Sequence, residues 1–97
     1  MPGTVVLYDH TWVDHISTKH SDVPLHEIHT TMLDPCEVCT SKTTGGSLIM
    51  VNTNAVNEHG DQLRVPVKPQ PNGTNIVTSA YYGMTPHGPV IWKRGDA

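Results

Sequence analysis

The chain has 97 residues, room for one domain, with 36% hydrophobic residues, no Phe, and eight each of Gly and Pro. A chain of this kind has a thin core and calls for a staple: a metal, a disulfide or an assembly partner. Its net charge of −3, with six Lys and Arg scattered along it, argues against nucleic-acid binding, and no apolar run approaches the ~20 residues of a membrane span.

Met1-Pro2-Gly3-Thr4 lacks the basic and apolar regions of a signal peptide. Synthesis in a cytoplasm is therefore expected, where Cys36 and Cys39 stay reduced. Thr4-Val5-Val6-Leu7-Tyr8 predicts an opening strand. Residues 9–44 show little alternation; His20 to Leu33 holds Pro24 and predicts at most one short turn. So long a stretch without regular structure needs an organiser, and 9–44 is expected to be a loop-rich, metal-binding part.

The strand signals are clearer further on. Ser47-Leu48-Ile49-Met50-Val51-Asn52, entered through Gly45-Gly46, is the strongest apolar run. Leu63, Val65 and Val67 alternate with Arg64, Pro66 and Lys68, and Pro66 predicts an edge strand or an unpaired extended segment. Thr74 to Tyr82 and Pro89 to Trp92 complete the strands, with turns at Pro69-Gln70-Pro71-Asn72-Gly73 and Gly83-Met84-Thr85-Pro86. The expected layout is a small all-β domain of short strands and loops spanning residues 1–97.

His26-Glu27-Ile28-His29 and Cys36-Glu37-Val38-Cys39 place an H-x-x-H before a C-x-x-C. Zinc favours imidazole nitrogen and thiolate in a tetrahedron, and a spacing of two lets one turn present two ligands. The candidate ligands are His15, His26, His29, Cys36 and Cys39, with His87 in reserve and His59 expected on the surface. Zinc is the expected metal, with iron as the alternative. The order is the reverse of the zinc-finger order, which disfavours a nucleic-acid reader. An open zinc position with Glu27 or Glu37 as base would make a small metallohydrolase. No nucleophile elbow, phosphate loop or H-E-x-x-H accompanies it, so a closed structural site and no enzyme are expected.

Two segments end alike: residues 52–61, closing on Gly60-Asp61, and residues 87–96, closing on Gly95-Asp96. Each sets an apolar pair, Ala55-Val56 or Val90-Ile91, ahead of the Gly-Asp turn. With the Gly45-Gly46-Ser47 entry and the strand closing on Asn52, residues 45–61 resemble the PAAR repeat. Residues 87–96 resemble a second copy, Gly88 falling on the repeat's Gly and Lys93 on its basic position. Leu7-Tyr8-Asp9 and His15 are compatible with the family's opening. Ala55-Val56-Asn57-Glu58 departs from Pro-Ala-Ala-Arg, Thr53 and Tyr8 stand where the family has Gly, and residues 62–86 hold no His or Cys.

The resemblance implies a cone-shaped domain of short strands with pseudo-threefold symmetry, pinned by a zinc held by three His and one Cys. It implies a structural tip that caps and sharpens a trimeric β-helical central spike for membrane piercing, one copy per trimer. The machine would be a phage tail baseplate or a type VI-like secretion system. The chain would touch the target membrane transiently, bind no nucleic acid, and end in a virion tail or secretion-apparatus tip. The alternative from the residues alone is a free-standing zinc-ribbon-like module that binds another protein.

Overall fold

A computed structural model describes residues 4–42, 44–83 and 88–94. Among them are seven strands: β1 (Thr4–Val6), β2 (Glu37–Thr40), β3 (Leu48–Val56), β4 (Gln62–Pro69), β5 (Thr74–Val77), β6 (Tyr81–Gly83) and β7 (Val90–Lys93). They form one sheet in the order β1-β5-β4-β3-β2-β7, with β6 also on β4. Neighbouring strands are antiparallel except β1 and β5, which run parallel. The fold is a compact, mostly-β domain.

The alternation read from the sequence decides which face is buried. In β4, Leu63, Val65 and Val67 point inward with Met50 of β3 and Val38 of β2. On the other face Cys39, Ile49 and Val51 form a smaller cluster. The first half of β3, through Asn52, is therefore buried on both faces, which explains its continuous apolar run.

β4 is central, not the edge strand that Pro66 predicted. Toward β3 it pairs along most of its length, Pro66 lying opposite Ile49. On its other side it pairs with β6 through Gln62, Leu63 and Arg64 and with β5 through Val67, Lys68 and Pro69. Pro66 falls in the gap between them, where its carbonyl accepts the Thr78 amide at 3.0 Å. Its nitrogen faces that same gap, so the missing N–H costs no ladder bond.

Residues 9–44 are not a loop-rich part. They hold two helical segments and β2. The first segment runs through Asp9–Thr11, Trp12–Ile16 and Ser17–Lys19; its middle is a π-helix, with the Ser17 amide donating to the Trp12 carbonyl. The second is the Leu25–Leu33 helix, which starts immediately after Pro24. Proline reads as a breaker inside a helix, but its fixed φ, here −69°, suits the position that opens one. Ile16, Val23 and Ile28 pack on the inner face of the sheet and are buried, with Trp12 and Met32 against them.

Two turns need glycine for different reasons. Gly60 (φ +85°) closes the β3–β4 connection, where the Asn57 side chain accepts the amides of His59 and Asp61 at 3.0 and 2.9 Å. At Gly88 a Cβ would overlap Thr40 Oγ1. Its amide donates to the Thr40 carbonyl at 2.8 Å, and the Thr40 amide donates to the Pro89 carbonyl at 3.1 Å, so the lead-in to β7 lies tight on β2. The second Gly-Asp pair, Gly95-Asp96, lies outside the described residues.

Gly88→Ala should therefore cost about 1–3 kcal/mol by overpacking. Thr40→Ala in the same chain should recover part of that loss, as a double-mutant cycle in urea would measure.

Candidate functional site

Where the first helical segment meets the β5–β6 corner, four side chains from two distant parts of the chain come together. His15 Nε2 lies 3.2 Å from Ser79 Oγ. The His15 and His20 rings meet edge to face with centroids 5.7 Å apart, and His20 lies 6.1 Å from the Tyr81 ring. An ideal α-helix turns residues five apart well away from each other, at about 100° per residue. The π-helical stretch containing His15 changes that winding; π-turns of this kind recur at functional sites. Burial anchors the pair. Ile16, next to His15, is fully buried; the His20 amide donates to the Ile16 carbonyl at 2.8 Å, and its carbonyl accepts the Val23 amide at 3.1 Å.

Ser79 and Tyr81 also wall a cleft of about 420 Å³. Its floor is apolar, from Ile49 and Pro66 on the outer face of the sheet. Its rim is Lys42, Lys68 and the hydroxyls of Ser41, Thr44, Ser47, Thr78 and Ser79, with no carboxylate in the lining among the described residues. Such a rim suits an anion: it offers two ammonium groups and several neutral hydroxyls.

The five ligand candidates do not come together as one group. His15 belongs to the corner just described. His26 and His29 share a side of the Leu25–Leu33 helix, both exposed to solvent. Cys36 and Cys39 serve opposite faces of the sheet. Cys36 Sγ lies 3.8 Å from Asn52 Oδ1 on the side of the helices, whereas Cys39 is buried with Ile49 and Val51 on the other. A C-x-x-C that presents two thiolates from a turn separates them on an extended strand, where successive side chains alternate. Among the described residues no three His, Cys, Asp or Glu side chains form a group that would hold a metal ion. His59 is exposed beside Glu58, as expected, and His87 lies outside the described residues.

The sequence offered no signal for Ser79, Lys42 or Lys68, and marked Tyr81 only as one of its few aromatic residues. Each is an ordinary strand or loop residue until the sheet folds the β5–β6 corner back toward His15 and His20.

The two thiols differ. Burial raises the Cys36 pKa, but hydrogen bonds from Thr53 and Asn54 and the charge of Arg94 outweigh it and lower the pKa below its ordinary value. Burial, with Glu37 adding to it, raises that of Cys39.

The chain matches no family model, no curated protein and no solved structure.

The thiol contrast gives a direct test. Iodoacetamide at neutral pH should alkylate Cys36 well before Cys39 in the folded chain, as peptide mass mapping over a time course will show. Equal rates would place both thiols in similar surroundings.

Proposed function

We propose that the chain is a metal-independent phosphodiester-cleaving enzyme acting on RNA, with His15 and His20 as its acid–base pair. The observation that carries this reading is the junction of the two-imidazole corner with a cleft of lysines and hydroxyls, joined through Ser79 and Tyr81. Histidine titrates nearest to neutral pH, so one neutral and one protonated imidazole can act as base and acid together.

In this chemistry the neutral imidazole takes the proton of a ribose 2′-hydroxyl. The 2′-oxygen attacks the adjacent phosphorus, the P–O5′ bond breaks, and the leaving 5′-oxygen takes a proton from the imidazolium. The products are a 2′,3′-cyclic phosphate and a 5′-hydroxyl end. Charge gathers on the non-bridging oxygens in the transition state, which the Lys42 and Lys68 ammonium groups on the rim would attract. Tyr81 supplies an aromatic surface of the kind that holds an unstacked base.

This reading departs from the expectation of a non-enzymatic chain that avoids nucleic acid. The nucleic-acid expectation rested on the net charge and on the scatter of Lys and Arg along the sequence, which do not register where three of the six cations lie in the fold; the non-enzymatic one rested on the missing catalytic motifs. Lys42 and Lys68 line the cleft, and Arg64 is paired across the sheet to Tyr81.

A spike tip is the second reading. Its support is that the two repeat-like segments hold positions demanding glycine, Gly60 for its φ and Gly88 for its contact with Thr40. Under it, the cone shape, the zinc and the trimeric β-helical partner remain to be sought by co-purification with such a spike.

A fluorescent single-stranded RNA incubated with the purified chain in EDTA tests the first reading. Cleavage should leave cyclic-phosphate ends and fall by about 10²–10⁴-fold in His15→Ala and in His20→Ala. A 2′-deoxy residue at the scissile position should abolish it, and Lys42→Ala with Lys68→Ala should raise KM. Cleavage of the 2′-deoxy substrate, together with its loss in Ser79→Ala, would instead make Ser79 the nucleophile. No cleavage of any RNA in wild type would sink the proposal.

A further inference from the structure

Behind the corner, the Tyr82 hydroxyl donates to the Glu27 carboxylate, an interaction that the acid–base chemistry does not use. We infer that Tyr82, held by Glu27, is a positioning residue that sets Tyr81, and through it His20, for reaction; the inference rests on the acid–base reading of the cleft.

β6 needs such a hold. It has three residues, lies off the main path of the sheet, and among the described residues is paired with β4 alone, through Gln62, Leu63 and Arg64. So short a pairing is weak by itself. Successive residues of a strand point to opposite faces, so what fixes Tyr82 on the inside fixes Tyr81 on the outside. The Tyr82 ring packs against the core, whereas Tyr81 contacts His20 and walls the cleft beside Ser79.

Glu27 is a firm anchor for that hydroxyl. Its amide donates to the Pro24 carbonyl at 3.1 Å, and its carbonyl accepts Thr31 Oγ1 at 2.8 Å. Thr31 Oγ1 in turn accepts Asn52 Nδ2 at 3.2 Å, both residues being buried. The Leu25–Leu33 helix is thus bonded to β3 at one point and to β6 at another, and Tyr82 makes the second bond. Burial and the neighbouring Glu27 carboxylate both raise the Tyr82 pKa, so the phenol keeps its proton and remains a donor throughout the neutral range.

The experiment compares the full-length chain with Tyr82→Phe, Glu27→Ala and Glu27→Gln. It measures RNA cleavage in EDTA and the histidine ring resonances by NMR with labelled imidazoles. Tyr82→Phe keeps the ring packing and removes only the donor. It and Glu27→Ala should shift the His20 resonances and lower kcat roughly 10- to 100-fold with KM little changed. Glu27→Gln keeps an oxygen to accept the phenol and should restore both readouts. If Tyr82→Phe and Glu27→Ala fold with His20 resonances and kcat as in wild type, the positioning role is overturned. Should Tyr82→Phe not fold, the contrast of Glu27→Ala with Glu27→Gln decides alone. If no form cleaves RNA, yet His20 moves in the first two variants and not in Glu27→Gln, the positioning stands and the acid–base reading falls.

Discussion

The inner face of the β3–β4 pair has to be covered, and the rest of the molecule follows from how that is done. Met50, Leu63, Val65 and Val67 are fully buried, and each such side chain is worth about 1.5–3 kcal/mol only if water is excluded. Seven short strands in one open sheet do not cover themselves. The cover comes from the two helical segments and the connection between them, which contribute Ile16, Ile28 and Val23 to the same cluster. Covering the sheet also places chemistry, because His15 adjoins Ile16 and His20 is bonded to both Ile16 and Val23 through the backbone. Both imidazoles are held at the rim of the core by residues whose own job is apolar burial.

Polar bonds refine the placement. Tyr82 to Glu27, Asn52 to Thr31, and Arg94 to Asp34 run along the Leu25–Leu33 helix and its C-terminal end, tying it to β6, β3 and the residue after β7. They differ in weight. Arg94 and Asp34 are well exposed, and such a pair contributes little in water. Asn52 and Thr31 are buried, and breaking their bond would leave a polar group without water or partner. The helix is thus fixed most firmly at Thr31, in its last turn, where it faces the strand that carries Met50.

The sequence was legible where one interaction dominates. The alternation of Leu63, Val65 and Val67 marked a strand because one face of β4 meets the core and the other does not. The run from Leu48 to Val51 did so because both faces of β3 are covered. It misled where a pattern has two meanings. Pro24 weakens a helix around it and opens one after it; Pro66 breaks a ladder unless it sits opposite a gap. A C-x-x-C spacing likewise has two meanings: on a turn it gathers two thiols, whereas here Cys36 and Cys39 fall on opposite faces of the sheet. The corner was invisible for a further reason: His15 and Ser79 are 64 positions apart, and nothing local to either predicts that β5 and β6 fold back toward the first helical segment.

The charge argument shows how a whole-chain quantity loses the local one. Nine acidic residues outnumber six basic ones, and the sum is negative. Yet Asp34 is paired with Arg94, Glu27 is bonded to Tyr82, and Glu58 lies beside His59, all away from the cleft lining. Exposed charges are screened over about 8–10 Å at physiological salt, and among the described residues the charged side chains that line the cleft are Lys42 and Lys68. The low-dielectric floor of Ile49 and Pro66 strengthens their field at the mouth. An acidic chain can therefore present a cationic cleft, because the field in a cleft is set by the charges on its rim.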